Sequence, residues 1–251
     1  MTQNNIFKSL SLLLFFCAQF LTAQDAKTIV QKSEENMRGN SSIAEISFKV
    51  VRPTWNRTME IKTWSKGTEY ALILIQSPAK EKGTAFLKRK KEMWNWLPSL
   101  ERTIKMPPSM MSQSWMGTDF TNDDLVKESS SVEDYHHTLL GEETVENFLC
   151  YKIELKPKPD AAVVWSKVIL WIEKKNYLQL RSEFYDEDEM LVNTLLGSDV
   201  QTMDGRMLPT RMVMQPADKP GHRTEITYKS LKFNPNINDN FFTLQNLKQV
   251  K

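Results

Sequence analysis

Cysteine is almost missing from this chain: Cys17 and Cys150 are its whole complement. Residues 1–23 read as a cleaved export signal. Lys8 precedes an apolar run from Leu10 to Leu21, and Ala23 supplies the small residue before the cut. Cleavage leaves Cys150 alone, which excludes an internal disulfide and with it a small stapled secreted fold. Between Leu149 and Tyr151, Cys150 reads as a buried structural thiol rather than a nucleophile. The apolar run is too short to span a bilayer comfortably, and Phe15-Phe16 before Cys17 does not suit lipoprotein processing. An exported protein of the periplasm, soluble after cleavage, is expected.

Glycine and histidine are scarce as well, with eight of the first and three of the second. No glycine-rich phosphate loop, HExxH or GxSxG motif occurs. His136 and His137 are neighbours, so on a strand their rings point to opposite faces and do not converge on a metal. Excess charge is lacking too: without Lys8, 32 basic side chains face 31 acidic ones. No basic stripe for nucleic acid is present. Lys88-Arg89-Lys90-Lys91 reads as a solvated turn, and Asp186-Glu187-Asp188-Glu189 as a charged hairpin loop. Thr121 and Asp124 suit a capping box that opens a short helix, a better reading of Asp123-Asp124 than paired-carboxylate catalysis. Neither enzyme activity, cofactor, metal nor nucleic acid is expected.

What is present is periodicity. Residues 25–38 carry Ala26, Ile29, Val30 and Met37 at helical spacing, with small Ser33 between and Gly39 as a stop. Period-two alternation follows. Ala44, Ile46, Phe48 and Val50 share one face, Met59, Ile61 and Thr63 another, and Ile226 and Tyr228 a third. Further strand-like runs are 68–76, 84–89, 92–98, 102–106, 138–145, 149–156, 165–173, 178–185, 191–196 and 211–215. Turns at Lys66-Gly67, Glu81-Lys82-Gly83, Lys174-Lys175-Asn176 and Asp204-Gly205 separate them. So long a meander must curl to protect its edges. The expected fold is mainly β: a curved, incomplete antiparallel β-barrel of about eleven strands. An N-terminal helix and a short helical lid cover an apolar cavity, and residues 24–251 form a single domain.

Methionine and aromatic residues are the other surplus. Trp94 and Trp96 share a face, Trp165 and Trp171 are expected to do so, and Met212 and Met214 point one way. Residues 106–120, MPPSMMSQSWMGTDF, hold Met110, Met111, Trp115, Met116 and Phe120 beside a Pro-Pro pair. Methionine suits surfaces that adapt to varied apolar partners. The expected ligand contacts are Trp94, Trp96, Met110, Met111, Trp115, Met116, Phe120, Met212 and Met214, with Gly117 as a hinge.

Several runs carry a family resemblance: Met93-Trp94-Asn95-Trp96-Leu97-Pro98, then Arg102 to Pro108, Ser114 to Phe120, Asp123-Asp124-Leu125 and Asn240 to Leu244. The chain resembles the outer-membrane lipoprotein-sorting proteins of the LolA-like superfamily, as a divergent branch. The resemblance implies an incomplete barrel with a helical lid, and a non-enzymatic carrier of lipid or lipoprotein acyl chains. Its partners would be an inner-membrane transporter or an outer-membrane receptor. An adaptor or sensor of the same fold is the alternative, docking to a transporter or a lipidated protein. A lipid or glycan hydrolase ranks last, since no nucleophile–base arrangement is visible.

Overall fold

The computed structural model describes residues 26–90, 92–126 and 130–251; the expected signal segment lies outside them. Residues 26–38 form α1. Its stop is a left-handed Gly39 (φ 64°) whose N–H donates to the Glu35 carbonyl at 2.9 Å. A Cβ at this glycine would stand 3.1 Å from both Asn234 Oδ1 and the Phe233 ring, so the position needs glycine twice over.

Thirteen strands form one antiparallel sheet. They are β1 (Ser41–Val51), β2 (Asn56–Lys66), β3 (Tyr70–Ser77), β4 (Ala85–Arg89), β5 (Glu92–Leu97), β6 (Arg102–Lys105), β7 (Tyr135–Val145), β8 (Phe148–Pro157), β9 (Lys167–Glu173), β10 (Gln179–Tyr185), β11 (Leu191–Met203), β12 (Arg206–Pro216) and β13 (Arg223–Phe233). Each predicted strand-like run finds one of them, so the sheet is larger than the expected eleven. Two-residue turns set the register where both central residues are left-handed, at Glu146-Asn147 and Asp204-Gly205.

The strand order is β6-β5-β4-β3-β2-β1-β13-β12-β11-β10-β9-β8-β7. Two meanders therefore meet at the central β1–β13 pair, and the sheet does not close. β6 and β7 are its opposite edges, so the chain that joins them must cross from one edge to the other. The sheet curls around that crossover. Phe48, Ile75 and Phe86 from β1, β3 and β4 share a core with Leu208 and Met214 of β12, and Met106, Met111, Trp115 and Phe120 of the crossover lie in the same core. On the other half, Ala26, Ile29 and Val30 of α1 pack on Ile153, Leu155, Leu170 and Ile172. The apolar faces that the alternation picks out in β1, β2 and β13 are the ones turned inward.

The outer face is not bare. The C-terminal segment, with α3 (Leu244–Gln249), lays Ile237, Phe242 and Leu247 over Trp64, Leu72, Leu74, Ala85 and Leu87. Three expectations need correction. Lys88 is buried instead of solvated, because β4 alternates Phe86 inward, Leu87 outward and Lys88 inward; Lys91 lies outside the described residues. Trp165 and Trp171 do not share a face. β9 starts only at Lys167, so Trp165 sits in the preceding loop and turns into the inner core, while Trp171 packs outside with Cys150. β7 starts at Tyr135, three residues before the expected run. His136 is exposed and His137 buried there, on opposite faces.

Candidate functional site

The crossover is built from short turns, not from one helix. Pro107-Pro108 forbids a continuous strand and leads into a 3-10 turn at Pro108–Met110. A second turn, Trp115–Gly117, places Met116 and Gly117 in left-handed conformations at φ 51° and 73°. α2 (Asn122–Val126) opens with a reciprocal capping box. Thr121 N–H donates to Asp124 Oδ2 at 2.8 Å, and Asp124 N–H donates to Thr121 Oγ1 at 3.1 Å. Asn122 ties the turns together by donating to the Met110 and Gln113 carbonyls at 2.9 and 3.2 Å.

Trp115 anchors this segment in the sheet. It is 0% exposed, with ring centroids 5.3 Å from Phe48 and 5.6 Å from Phe86. Phe120 meets Phe48 edge-on at 6.1 Å. Such tilted aromatic contacts add to plain area burial. A polar clamp holds the adjacent turn. Arg52 donates to Asp119 Oδ2 at 3.0 Å and to the Gly117 carbonyl at 3.0 Å, and Arg57 donates to the Met116 carbonyl. Thr224 Oγ1 adds a bond to Asp119 Oδ2 at 2.6 Å. The Arg52 and Asp119 side chains are only 11% and 6% exposed, so loss of either strands the other charge in the interior. Gly117, the expected hinge, therefore sits in a turn pinned by Arg52, just past β1, and by Arg57 of β2.

Beneath the crossover lies a cavity of about 320 Å³. Ile46, Phe48, Ile61, Ile73, Leu195, Met212 and Ile226 give it apolar walls, and Phe120 and Leu125 close it on the crossover side. Its rim under α1 is polar: Ser33, Glu34 and Arg38 face Ser42, Thr63 and Ser65. A second recess of about 130 Å³ adjoins it, walled by Leu155, Trp165, Leu170, Phe184 and Met214. Phe120, Asp124, Gln179 and Leu195 line both, as a waist between them.

Asp124 is the unusual group at that waist. Burial pushes its carboxyl above the ordinary value, and the bonds from Thr121 and from Trp165 Nε1 (3.0 Å) offset this only in part. Burial also pushes the Tyr228 phenol, on the cavity wall, up to about 12. The Cys150 thiol is raised to about 11 by burial on the outer side, which leaves it unreactive near neutral pH.

Of the predicted contacts, Phe120 and Met212 line the larger recess, and Phe120 and Met214 the smaller. Met110, Met111, Trp115 and Met116 pack in the same inner core behind Phe120. Trp94 and Trp96 lie on the outer face under the C-terminal segment. The alternation that pairs the two indoles is present, but it turns Met93 inward instead. Sequence reasoning missed the polar rim on α1 and the carboxyl of Asp124. Ser33 on the apolar stripe of the helix was the one signal for the rim.

A family model described as an uncharacterized protein matches residues 67–249. A search of curated proteins finds no match. Among solved structures, a DUF1329 family protein from Desulfovibrio piger is 26% identical with a TM-score of 0.82, over 90% of this chain and 99% of its own. A domain from Vibrio parahaemolyticus, described as an outer membrane lipoprotein-sorting protein, is 25% identical with a TM-score of 0.80, over 90% and 99%. A LolA superfamily protein from Nitrosomonas europaea is 27% identical with a TM-score of 0.75, over 88% and 98%. The chain belongs to the family of that matching model, and in fold and sequence it is similar to DUF1329 and LolA superfamily proteins.

Proposed function

We propose that this protein is a non-enzymatic periplasmic carrier that takes acyl chains of lipids or lipoproteins into its inner cavity and passes them toward the outer membrane. The observation that carries this reading is the pair of adjoining apolar-walled recesses between the curled sheet and the crossover. Each methylene buried there contributes about 0.8 kcal/mol, so a long chain is held without any specific chemistry. Similarity to a lipoprotein-sorting domain from Vibrio parahaemolyticus supports the same cargo class. No described helix is long and apolar enough to cross a membrane. Phe120 and Leu125 stand between the crossover and the cavity, and they are the side chains that cargo entry has to displace.

A direct test fills the waist. Leu195→Trp places an indole where both recesses meet, and it should lower the affinity for a fluorescent long-chain acyl probe at least about tenfold, the equivalent of roughly two buried methylenes. Unfolding by urea checks that the variant is folded. Undiminished binding by a folded Leu195→Trp protein would place the acyl site elsewhere.

A further inference from the structure

The rim of the larger cavity holds polar atoms that the fold leaves unused. Ser33 is 2% exposed and lines the cavity, yet its Oγ finds no hydrogen-bond partner among the described residues. Glu34 is next to it. One of its oxygens, Oε2, lies 3.5 Å from Arg38 Nη2, while the other, Oε1, is buried and has no partner among the described residues. Across the rim, Ser42 and Ser65 satisfy one another through a 2.7 Å bond between their hydroxyls, so they do not serve the α1 groups. Buried polar atoms are nearly always hydrogen-bonded, and a bare carboxylate oxygen is the costliest exception. A second carboxyl, Asp124, lines the same cavity, against the single guanidinium of Arg38.

We propose that Ser33, Glu34 and Arg38 form a headgroup subsite for an acyl amphiphile whose polar head carries N–H donors, an ammonium above all. A carboxylate oxygen accepts only, so the group that completes Glu34 Oε1 must donate. An ammonium brings both the proton and the opposite charge, while Arg38 stands beside the same rim for a phosphate. A free fatty acid offers neither, and its carboxylate would meet the carboxyl of Glu34 as well as Arg38. The chain lies among Ile46, Ile61 and Ile226 while the head remains at α1. The subsite rests on the proposed reading of the cavity as an acyl site and adds to it the class of head.

Two lysolipids of equal chain length separate the two ideas, one with a phosphoethanolamine head and one with a phosphocholine head, both below their micelle concentrations. The heads share charge and phosphate, and three N-methyl groups replace the N–H donors in the second. Wild-type protein should bind the ammonium head about tenfold more tightly, the worth of one hydrogen bond to a charged group. Glu34→Ala, which removes the acceptor, should bring the ratio close to one, and Ser33→Ala should lower it in part, with thermal midpoints confirming that both variants fold. Equal affinity of wild-type protein for the two heads would overturn the subsite and leave the acyl cavity standing. Binding of neither lipid would overturn the acyl reading, and the subsite with it.

Discussion

At the scale of the residue, Trp115 and Asp124 show how differently two buried groups behave. Trp115 works through packing, by its volume and its ring contacts. Its indole N–H has no partner among the described residues, so none of its contribution comes from a hydrogen bond. Trp115→Ala should lower the unfolding free energy by about 3–5 kcal/mol. Trp115→Phe, which keeps an aromatic ring between Phe48 and Phe86, should cost clearly less; equal losses in urea titrations would mean that the ring contacts are not what anchors the crossover. Asp124 works through its proton. Burial raises its folded-state pKa above the ordinary value of 3.8, so the folded protein holds this proton where the unfolded chain has released it. The group's contribution is therefore full below 3.8 and declines as pH rises, until the folded carboxyl has also ionised. Asp124→Asn cannot titrate. The difference in stability between wild type and this variant should fall with rising pH across that window, and parallel pH curves would contradict it.

At the scale of the element, the crossover is the piece that gives an open sheet an interior. Its turns look loose in sequence, with two prolines and no regular spacing, yet they are tied by side-chain caps and by two arginines. Gly117 illustrates the constraint. A Cβ there would have Arg57 Nη2 at 3.7 Å as its nearest neighbour, so space is available and only the left-handed backbone resists. Gly117→Ala should therefore cost about 1–2 kcal/mol, the left-handed penalty for an L-residue, measured by chemical denaturation. A neutral substitution would show that the turn adopts another conformation in solution, as a free hinge would allow. The capping box at Thr121 and Asp124 was legible because it is local: donor and acceptor lie three residues apart. The clamp on Asp119 was not, because Arg52, just past β1, and Thr224 of β13 are far away in sequence.

At the scale of the whole molecule, the chain's alternation and turn dipeptides spelled out the strands, and β1, β2 and β13 turn their apolar faces inward. Legibility ended where both faces of a strand are covered. In β3, Leu72, Ile73, Leu74 and Ile75 are all buried, because the crossover side packs one face and the C-terminal segment the other. In β5 the same double cover hides which side of Trp94 and Trp96 meets the interior. Nor could alternation reveal that two meanders join at β1 and β13, since that pairing is set by curvature and long-range packing. The polar rim went unread for a similar reason: a serine and a glutamate on a helix mean little until the opposing strands are in place.

The central claim is that the interior is an acyl site. Native mass spectrometry of the protein, purified gently from cells, is the test. An acyl interior should give a mass excess matching one acyl lipid or lipidated peptide, released by delipidation and restored by adding a lipopeptide. A protein that emerges empty and remains empty with added lipopeptide would contradict it.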